Sequence, residues 1–380
     1  MKLSTRCVQL GRGDVAHGAI VPPIYQTATF EQPNATEFGE YDYTRSGNPT
    51  RSLLEEQLAD LEGASYACAY ASGMAALTAL TRIVKSGEEI IAGDDLYGGT
   101  VRLLDRLSSH QNIAVRYVDT TNANELRKAV TSRTRLILIE TPSNPLFRIS
   151  DIRELASIAK QRRTYLAVDN SMLSPVFQQP LTLGADIVIH SATKFLCGHS
   201  DVSAGALITN DPTLHQQFAF QQNAEGAGLS PFESWLLLRG LKTLALRVER
   251  QSNSAQKIAR FLRSRTEITQ VFYPGLGAVI SFTTGDERLS AEIVETTRLF
   301  KIAVSFGSVG STISLPCRMS HASIPSALRD RLAPPSDLVR LSVGIEDVAD
   351  LIADLDRAFA VCREVLGHSQ NRIAVASGCT

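Results

Sequence analysis

The feature that most constrains this chain is a series of short apolar runs at residues 66–70, 89–92, 115–118, 136–139, 165–168, 186–189 and 205–209. Several are separated by helical patterns, at 73–83, 101–107, 124–130 and 149–161. Near-continuous apolar strands alternating with helices indicate a largely parallel sheet covered on both faces, because only there does a strand bury both of its sides. In such a sheet ligands bind beyond the carboxyl ends of the strands.

The flanks read differently. Residues 1–50 carry little periodicity and many breakers, among them Pro22, Pro23, Pro33, Gly39, Gly47 and Pro49. They predict an extended arm that packs on the body of the protein or on a neighbouring subunit. An amphipathic stretch at 51–61 opens a large domain spanning 51–242. A long helical stretch at 243–265 begins a smaller α+β domain, 243–380. Its strand-like segments, 271–273, 279–282, 302–304 and 338–342, alternate with helix-like 291–299 and 348–366. Beyond residue 366 the sequence predicts a disordered tail.

At 380 residues the chain has ample length for both cores. A formal net charge of -1 offers no basic surface for nucleic acid. The six cysteines are scattered without a Cys-x-x-Cys pair, which argues against structural zinc and a redox dithiol. The N-terminal residues lack the apolar segment of a secretory signal, and no run approaches membrane-spanning length. The expectation is a reduced, cytoplasmic protein with no membrane partner.

The chemistry stands at the strand ends. After 66–70, Ser72-Gly73-Met74 opens a helix whose N-terminal amides suit a phosphate; helix packing would also explain those small residues. After 89–92, Tyr97 is followed by Gly98 and Gly99, as a loop tyrosine or as a ring lying over a planar ligand. After 136–139, Pro142 and Pro145 bracket Ser143 and Asn144, either as a rigid turn or to fix the asparagine. Asp169 ends the run 165–168, where a carboxylate is costly without a partner. After 186–189 come His190, Ser191, Thr193 and Lys194. The 25 residues from Asp169 to Lys194 are about one strand–helix–strand crossover, so both reach the same sheet edge.

Taken together these are the parts that pyridoxal 5'-phosphate (PLP) needs: a lysine for its aldehyde, a carboxylate for its ring nitrogen, hydroxyls and a helix N-terminus for its phosphate, and an aromatic for its ring face. No Gly-x-Gly-x-x-Gly follows a strand, which disfavours a dinucleotide fold. His190 and His199 have no third ligand at metal-binding spacing and read as packing or supporting groups; no metal is expected.

The segments Tyr41-Asp42-Tyr43-Thr44-Arg45-Ser46-Gly47-Asn48-Pro49-Thr50, Ser72-Gly73-Met74-Ala75-Ala76, Val168-Asp169-Asn170-Ser171, Ser191-Ala192-Thr193-Lys194 and Arg239-Gly240-Leu241-Lys242-Thr243-Leu244 closely resemble the Cys/Met-metabolism PLP enzymes. The resemblance covers residues 18–359. Within the family, residues 23–30, 222–232 and 305–309 look most like plant-type cystathionine β-lyases. It implies an α/β PLP-dependent transferase fold (aspartate aminotransferase-like, fold type I) with a mainly parallel central sheet and a smaller C-terminal α+β domain. Lys194 would form the Schiff base, Asp169 pair with the ring nitrogen and Tyr97 stack on the ring. Gly73, Met74, Ser191 and Thr193 would hold the phosphate. Tyr43 and Arg45 would reach the phosphate of a neighbouring subunit in a homotetramer built as a dimer of dimers. Arg340 would bind the substrate α-carboxylate with Ser305 and Asn144, and Tyr25 and Tyr43 would join the substrate side.

The implied reaction is β-elimination from cystathionine or a related cysteine S-conjugate, giving a thiol, pyruvate and ammonia. Lys194 would act as the base on the Cα proton. The alternatives are γ-elimination or γ-replacement with the same residues, a specialised biosynthetic carbon–sulfur lyase, an aminotransferase, or a PLP-binding protein without turnover. One departure supports the specialised alternative: family members usually carry a His/Pro-rich insertion of about twenty residues after Leu276, where this chain passes directly to Gly277.

Overall fold

A computed structural model describes residues 1–9, 16–322 and 324–377. The chain divides into two compact units, Met1–Val248 and Glu249–Thr380. The first holds seven strands: β1 (Tyr66–Tyr70), β2 (Glu89–Gly93), β3 (Ala114–Val118), β4 (Thr134–Glu140), β5 (Tyr165–Asp169), β6 (Ile187–His190) and β7 (Gly205–Thr209). They form one sheet in the order β1-β7-β6-β5-β4-β2-β3. β7 runs antiparallel to both neighbours, and the remaining pairings are parallel. The expected α/β fold with a mainly parallel sheet is therefore present, and all seven apolar runs are strands.

Physical reasons for the sheet are local. β2 is buried along its whole length, and its Ile90 and Ile91 are fully enclosed. On one face Ile91, Ile137, Ile139, Leu166 and Val168 pack with Leu126, Ile152, Leu155 and Ile158 from the helices Ala123–Ala129 and Ile152–Arg162. Such burial on both sides is what keeps the strands parallel and helix-covered. The strand order reverses between β2 and β4, since β3 lies outside β2 while β5 and β6 follow β4 the other way. That reversal opens a crevice at the carboxyl ends.

The second unit holds β8 (Gln270–Phe272), β9 (Val279–Thr283), β10 (Lys301–Ile302), β11 (Thr312–Ser314) and β12 (Val339–Ser342), ordered β10-β11-β12-β9-β8. Alternation sends Ile280, Phe282, Ile313, Leu315, Val339 and Leu341 into a core with Ile293, Leu351, Leu355 and Phe359. β8 and β9 form an antiparallel pair, and in the segment between them the Tyr273 hydroxyl donates to Gly277 O at 3.0 Å.

Several expectations change. Leu3–Val8 is a helix rather than extended arm; its Cys7 is buried, and Arg6 Nε donates to Asp60 Oδ2 at 2.8 Å. β11 and the helices Pro212–Ala224 and Pro231–Leu241 were not evident from periodicity. Both helices start on caps, Asp211 and Ser230, followed by proline. The last helix runs Val348–Ser377, so the tail is helical past residue 366: no proline interrupts it, and its buried Leu351, Leu355 and Phe359 anchor the start. Residues 378–380 lie outside the described residues. Among the described residues, no helix is long and apolar enough to cross a membrane.

Candidate active site

Five strand ends of the first unit supply the site. Beyond β1, Ser72 caps the helix Gly73–Thr81, its Oγ accepting from Ala75 N at 3.1 Å. The N–H groups of Gly73 and Met74 precede the first intrahelical bond, from Ala76 N to Ser72 O at 3.1 Å, and so face outward at the positive end of the helix. A Cβ at Gly73 would stand 2.9 Å from Ser191 Cβ. The backbone of this helix start and the serine beyond β6 therefore form one cradle, which a side chain would fill.

Beyond β2, Tyr97 sits at the N-cap of the helix Gly98–Gln111 and donates its backbone N–H to Glu140 Oε2 at 3.1 Å. A Cβ at Gly99 would meet Tyr97 Cε1 at 2.4 Å, so the ring folds back over the first helical turn. Its exposure is 36%. Beyond β4 the loop is buried at Glu140, Thr141, Ser143 and Asn144, with cis bonds at Thr141–Pro142 and Asn144–Pro145. It is latched below by Asp95, which accepts from the Ser143 hydroxyl and from Leu146 N at 3.2 Å. Burial pushes the Asp95 carboxyl up, while those two bonds and Arg148 pull it down.

Asp169 ends β5 opposite Glu140 of β4 and Ile189 of β6. It is half-buried and accepts from Ser171 N at 2.9 Å. Burial raises its proton affinity; the Ser171 bonds and then the charges of His190 and Lys194 lower it. The Ser171 hydroxyl in turn accepts from Ser191 N at 2.6 Å. Lys194 follows in a tight run of turns, its N–H donating to Ser191 O at 3.0 Å and its carbonyl accepting from Gly198 N at 2.8 Å. Gly73, Met74, Tyr97, Asn144, Asp169, Ser191 and Lys194 thus share one sheet edge, and the lysine charge is felt at the aspartate. Thr193 is beside them, but its hydroxyl both donates to Ala204 O at 3.1 Å and accepts from Ala204 N at 2.9 Å. It fixes the turn and would have to release Ala204 to donate to a ligand.

Tyr43, Arg45 and Tyr25 lie on the arm side. Arg45 stands 5.6 Å from the Tyr43 ring centre and donates to Asn223 O at 3.0 Å. Tyr25 is partly exposed, its N–H donating to Thr50 Oγ1 at 2.9 Å. In the second unit Arg340 is buried on β12, with Nη2 donating to Ser305 O at 3.2 Å and its guanidinium 5.5 Å from the Phe306 ring centre. Ser305 adopts a positive φ of 81°, which turns its carbonyl to that arginine. Sequence reasoning missed Glu140, Asp95 and Gly99. Only the polar residue closing the apolar run 136–139 hinted at the first. Among the described residues, no cluster of three or more His, Cys, Asp or Glu side chains could hold a metal.

The family model for Cys/Met metabolism PLP-dependent enzymes matches residues 4–360. The chain is 51% identical over 373 residues to chloroplastic cystathionine beta-lyase of Arabidopsis thaliana, covering 94% of this chain and 80% of the other. It is 50% identical over 360 residues to cystathionine beta-lyase of Neurospora crassa, covering 90% and 78%. A solved structure of cystathionine gamma synthase from Xanthomonas oryzae pv. oryzae, in complex with aminoacrylate and cysteine, matches with a TM-score of 0.93 at 38% identity, over 96% of this chain and 99% of that one. The residues present fit pyridoxal phosphate. The outward-facing N–H groups of Gly73 and Met74 stand beside Ser191 and suit phosphate oxygens, and Asp169, only partly exposed at the end of β5, is a carboxylate suited to a protonated ring nitrogen.

Proposed function

This chain belongs to the Cys/Met metabolism PLP-dependent enzymes, and from that premise we propose that it cleaves cystathionine, or a related cysteine S-conjugate, by β-elimination. It is a pyridoxal-phosphate-dependent carbon–sulfur lyase. Cystathionine and water would give homocysteine, pyruvate and ammonia. The observation that carries the reading is Lys194 placed beyond β6, with its charge acting on Asp169 at the end of the adjacent strand.

When bound, the cofactor supplies an electron sink for the charge left on the substrate Cα. Asp169 would keep the ring nitrogen protonated, Tyr97 would cover the ring, and Gly73, Met74 and Ser191 would hold the phosphate, joined by Thr193. Lys194 would hold the cofactor through its Nζ and, when free, would take the substrate Cα proton as general base. The carbon–sulfur bond at Cβ would then break with the thiolate as leaving group. Arg340 would receive the substrate α-carboxylate through its planar fork, with Ser305, Asn144, Tyr25 and Tyr43 as further substrate contacts.

The reading includes a homotetramer in which Tyr43 and Arg45 serve a neighbouring subunit. Their exposure supports it, as do the apolar Ile20, Val21 and Ile24 exposed on the same arm. A strictly monomeric, active protein would contradict it. A cytoplasmic location is supported by the free thiols Cys7, Cys68, Cys197, Cys317 and Cys362.

Incubation with cystathionine and identification of the keto acid tests the reaction. Pyruvate is expected. 2-Oxobutyrate alone would overturn the β-lyase reading in favour of γ-chemistry, which the likeness to a cystathionine gamma synthase keeps as the second reading.

A further inference from the structure

One residue beyond Asp169, and one beyond its partner Ile189, the side chains turn to the other face of the sheet. There Asn170 and His190 meet Glu62, the last residue of the helix Pro49–Glu62. His190 Nε2 lies 2.6 Å from Glu62 Oε1, and Asn170 Nδ2 donates to the same oxygen at 2.9 Å. Asn170 is itself fixed, donating to Gln178 O at 2.8 Å and accepting from Gln178 Nε2 at 3.1 Å. The side chains of Glu62 and His190 are each 1% exposed. Glu62 Oε2 and His190 Nδ1 are buried without a hydrogen-bond partner.

A buried acid–base pair is a costly device for packing, because an apolar pair of similar volume would fill the space at lower cost. The pair stands instead beside Asp169: Asn170, which donates to Glu62, is the next residue along the chain, and His190 follows Ile189, the strand partner of Asp169. Among the charged groups that lower the proton affinity of Asp169, His190 comes before Lys194. The imidazole has no freedom to drift from this place: β6 fixes its backbone, and the Glu62 carboxylate, held by Asn170, fixes its ring.

We propose that Glu62 and His190 form a positioning pair that keeps Asp169 ionised from behind the sheet, so that it can hold the cofactor ring nitrogen protonated. This rests on the assignment of Asp169 to that nitrogen. Neither residue touches the substrate in this arrangement. Glu62 orients His190, and His190 supplies the counter-charge that a half-buried carboxylate otherwise lacks on that side.

The test uses the holoenzyme and follows the visible absorption of the bound cofactor against pH. A protonated ring nitrogen withdraws electrons and lowers the proton affinity of the nitrogen linked to Lys194. Weakening Asp169 therefore moves the titration midpoint up. Glu62→Gln, which is isosteric, and His190→Gln are each expected to raise it by about one unit. They should lower kcat on the order of tenfold with KM nearly constant. Glu62→Asp, which retains the carboxylate, should restore most of both. Asp169→Asn serves as reference and should move the midpoint at least as far. If Asp169→Asn moves the midpoint but Glu62→Gln leaves it in place, the pair is structural and the proposal falls, whatever the melting temperature does. An unmoved midpoint in Asp169→Asn overturns the assignment of Asp169 itself, and the proposal with it.

Discussion

Gly73 and Ser191, 118 residues apart in sequence, approach so closely that a Cβ on the glycine would stand 2.9 Å from the serine Cβ. The helix Gly73–Thr81 is thereby pressed onto the turn that leads to Lys194. Gly73→Ala forces the two apart at a cost of roughly 1–3 kcal/mol. Because the same backbone amides hold the phosphate in the proposed site, cofactor affinity should fall about tenfold or more. Titration of the cofactor-free variant with pyridoxal phosphate, followed by absorbance, measures it.

Asp169 offers a stability test with a definite sign. Burial raises its proton affinity in the folded, cofactor-free protein. The folded state then binds more protons than the unfolded one, so this group makes stability fall as pH rises. Asp169→Asn should therefore melt higher than the parent at neutral pH without cofactor, and the gain should vanish in acid, once the parent's carboxyl is protonated in both states. Turnover should be lost in the same variant. Melting curves at several pH values, run without cofactor, check the first part.

Asp354 gives the opposite sign in the second unit. It accepts from Arg298 N at 2.9 Å, Leu299 N at 2.7 Å and Arg357 Nη2 at 2.7 Å, and these bonds hold its carboxyl below the ordinary range despite burial. The stability it contributes is present above the ordinary carboxylate pKa and is lost as pH falls through the lowered value. Asp354→Asn should cost about 1.5–3 kcal/mol at neutral pH. That difference should shrink in acid, as chemical denaturation at pH 7 and pH 3 would report.

Arg340 reaches its place on β12 between Ser281 of β9 and Ser314 of β11. Lysine would keep a charge there but lose the planar fork. Arg340→Lys is expected to weaken substrate binding by roughly 2–5 kcal/mol, seen mainly as a raised KM. A KM equal to that of the parent would overturn the proposed role of Arg340 in binding the substrate.

Lys194 and Asp169 were legible because strand ends follow a fixed rhythm, and 25 residues is one crossover of this fold. The seven-strand sheet was legible for the same reason: its runs are too apolar to lie anywhere but between two helical layers. β11 was not, since Thr312, Ile313 and Ser314 make too short and polar a run to announce a strand. Nor were the helices Pro212–Ala224 and Pro231–Leu241, whose signal lies in their caps rather than in a clean apolar stripe. The Glu62–His190 contact spans 128 residues and exists only once the helix and sheet have met. The role of Gly99 is likewise written in space, by the Tyr97 ring that occupies the volume of its missing side chain.

The bond from Tyr97 N–H to Glu140 crosses the place where the strand order reverses. It makes the loop after β2 and the loop after β4 a single mechanical part. A change that lifts one will drag the other, so this end of the sheet resists being widened piecemeal. Anyone wishing to re-engineer the enzyme for a bulkier thioether should leave that staple alone and search for tolerance in segments not tied to it.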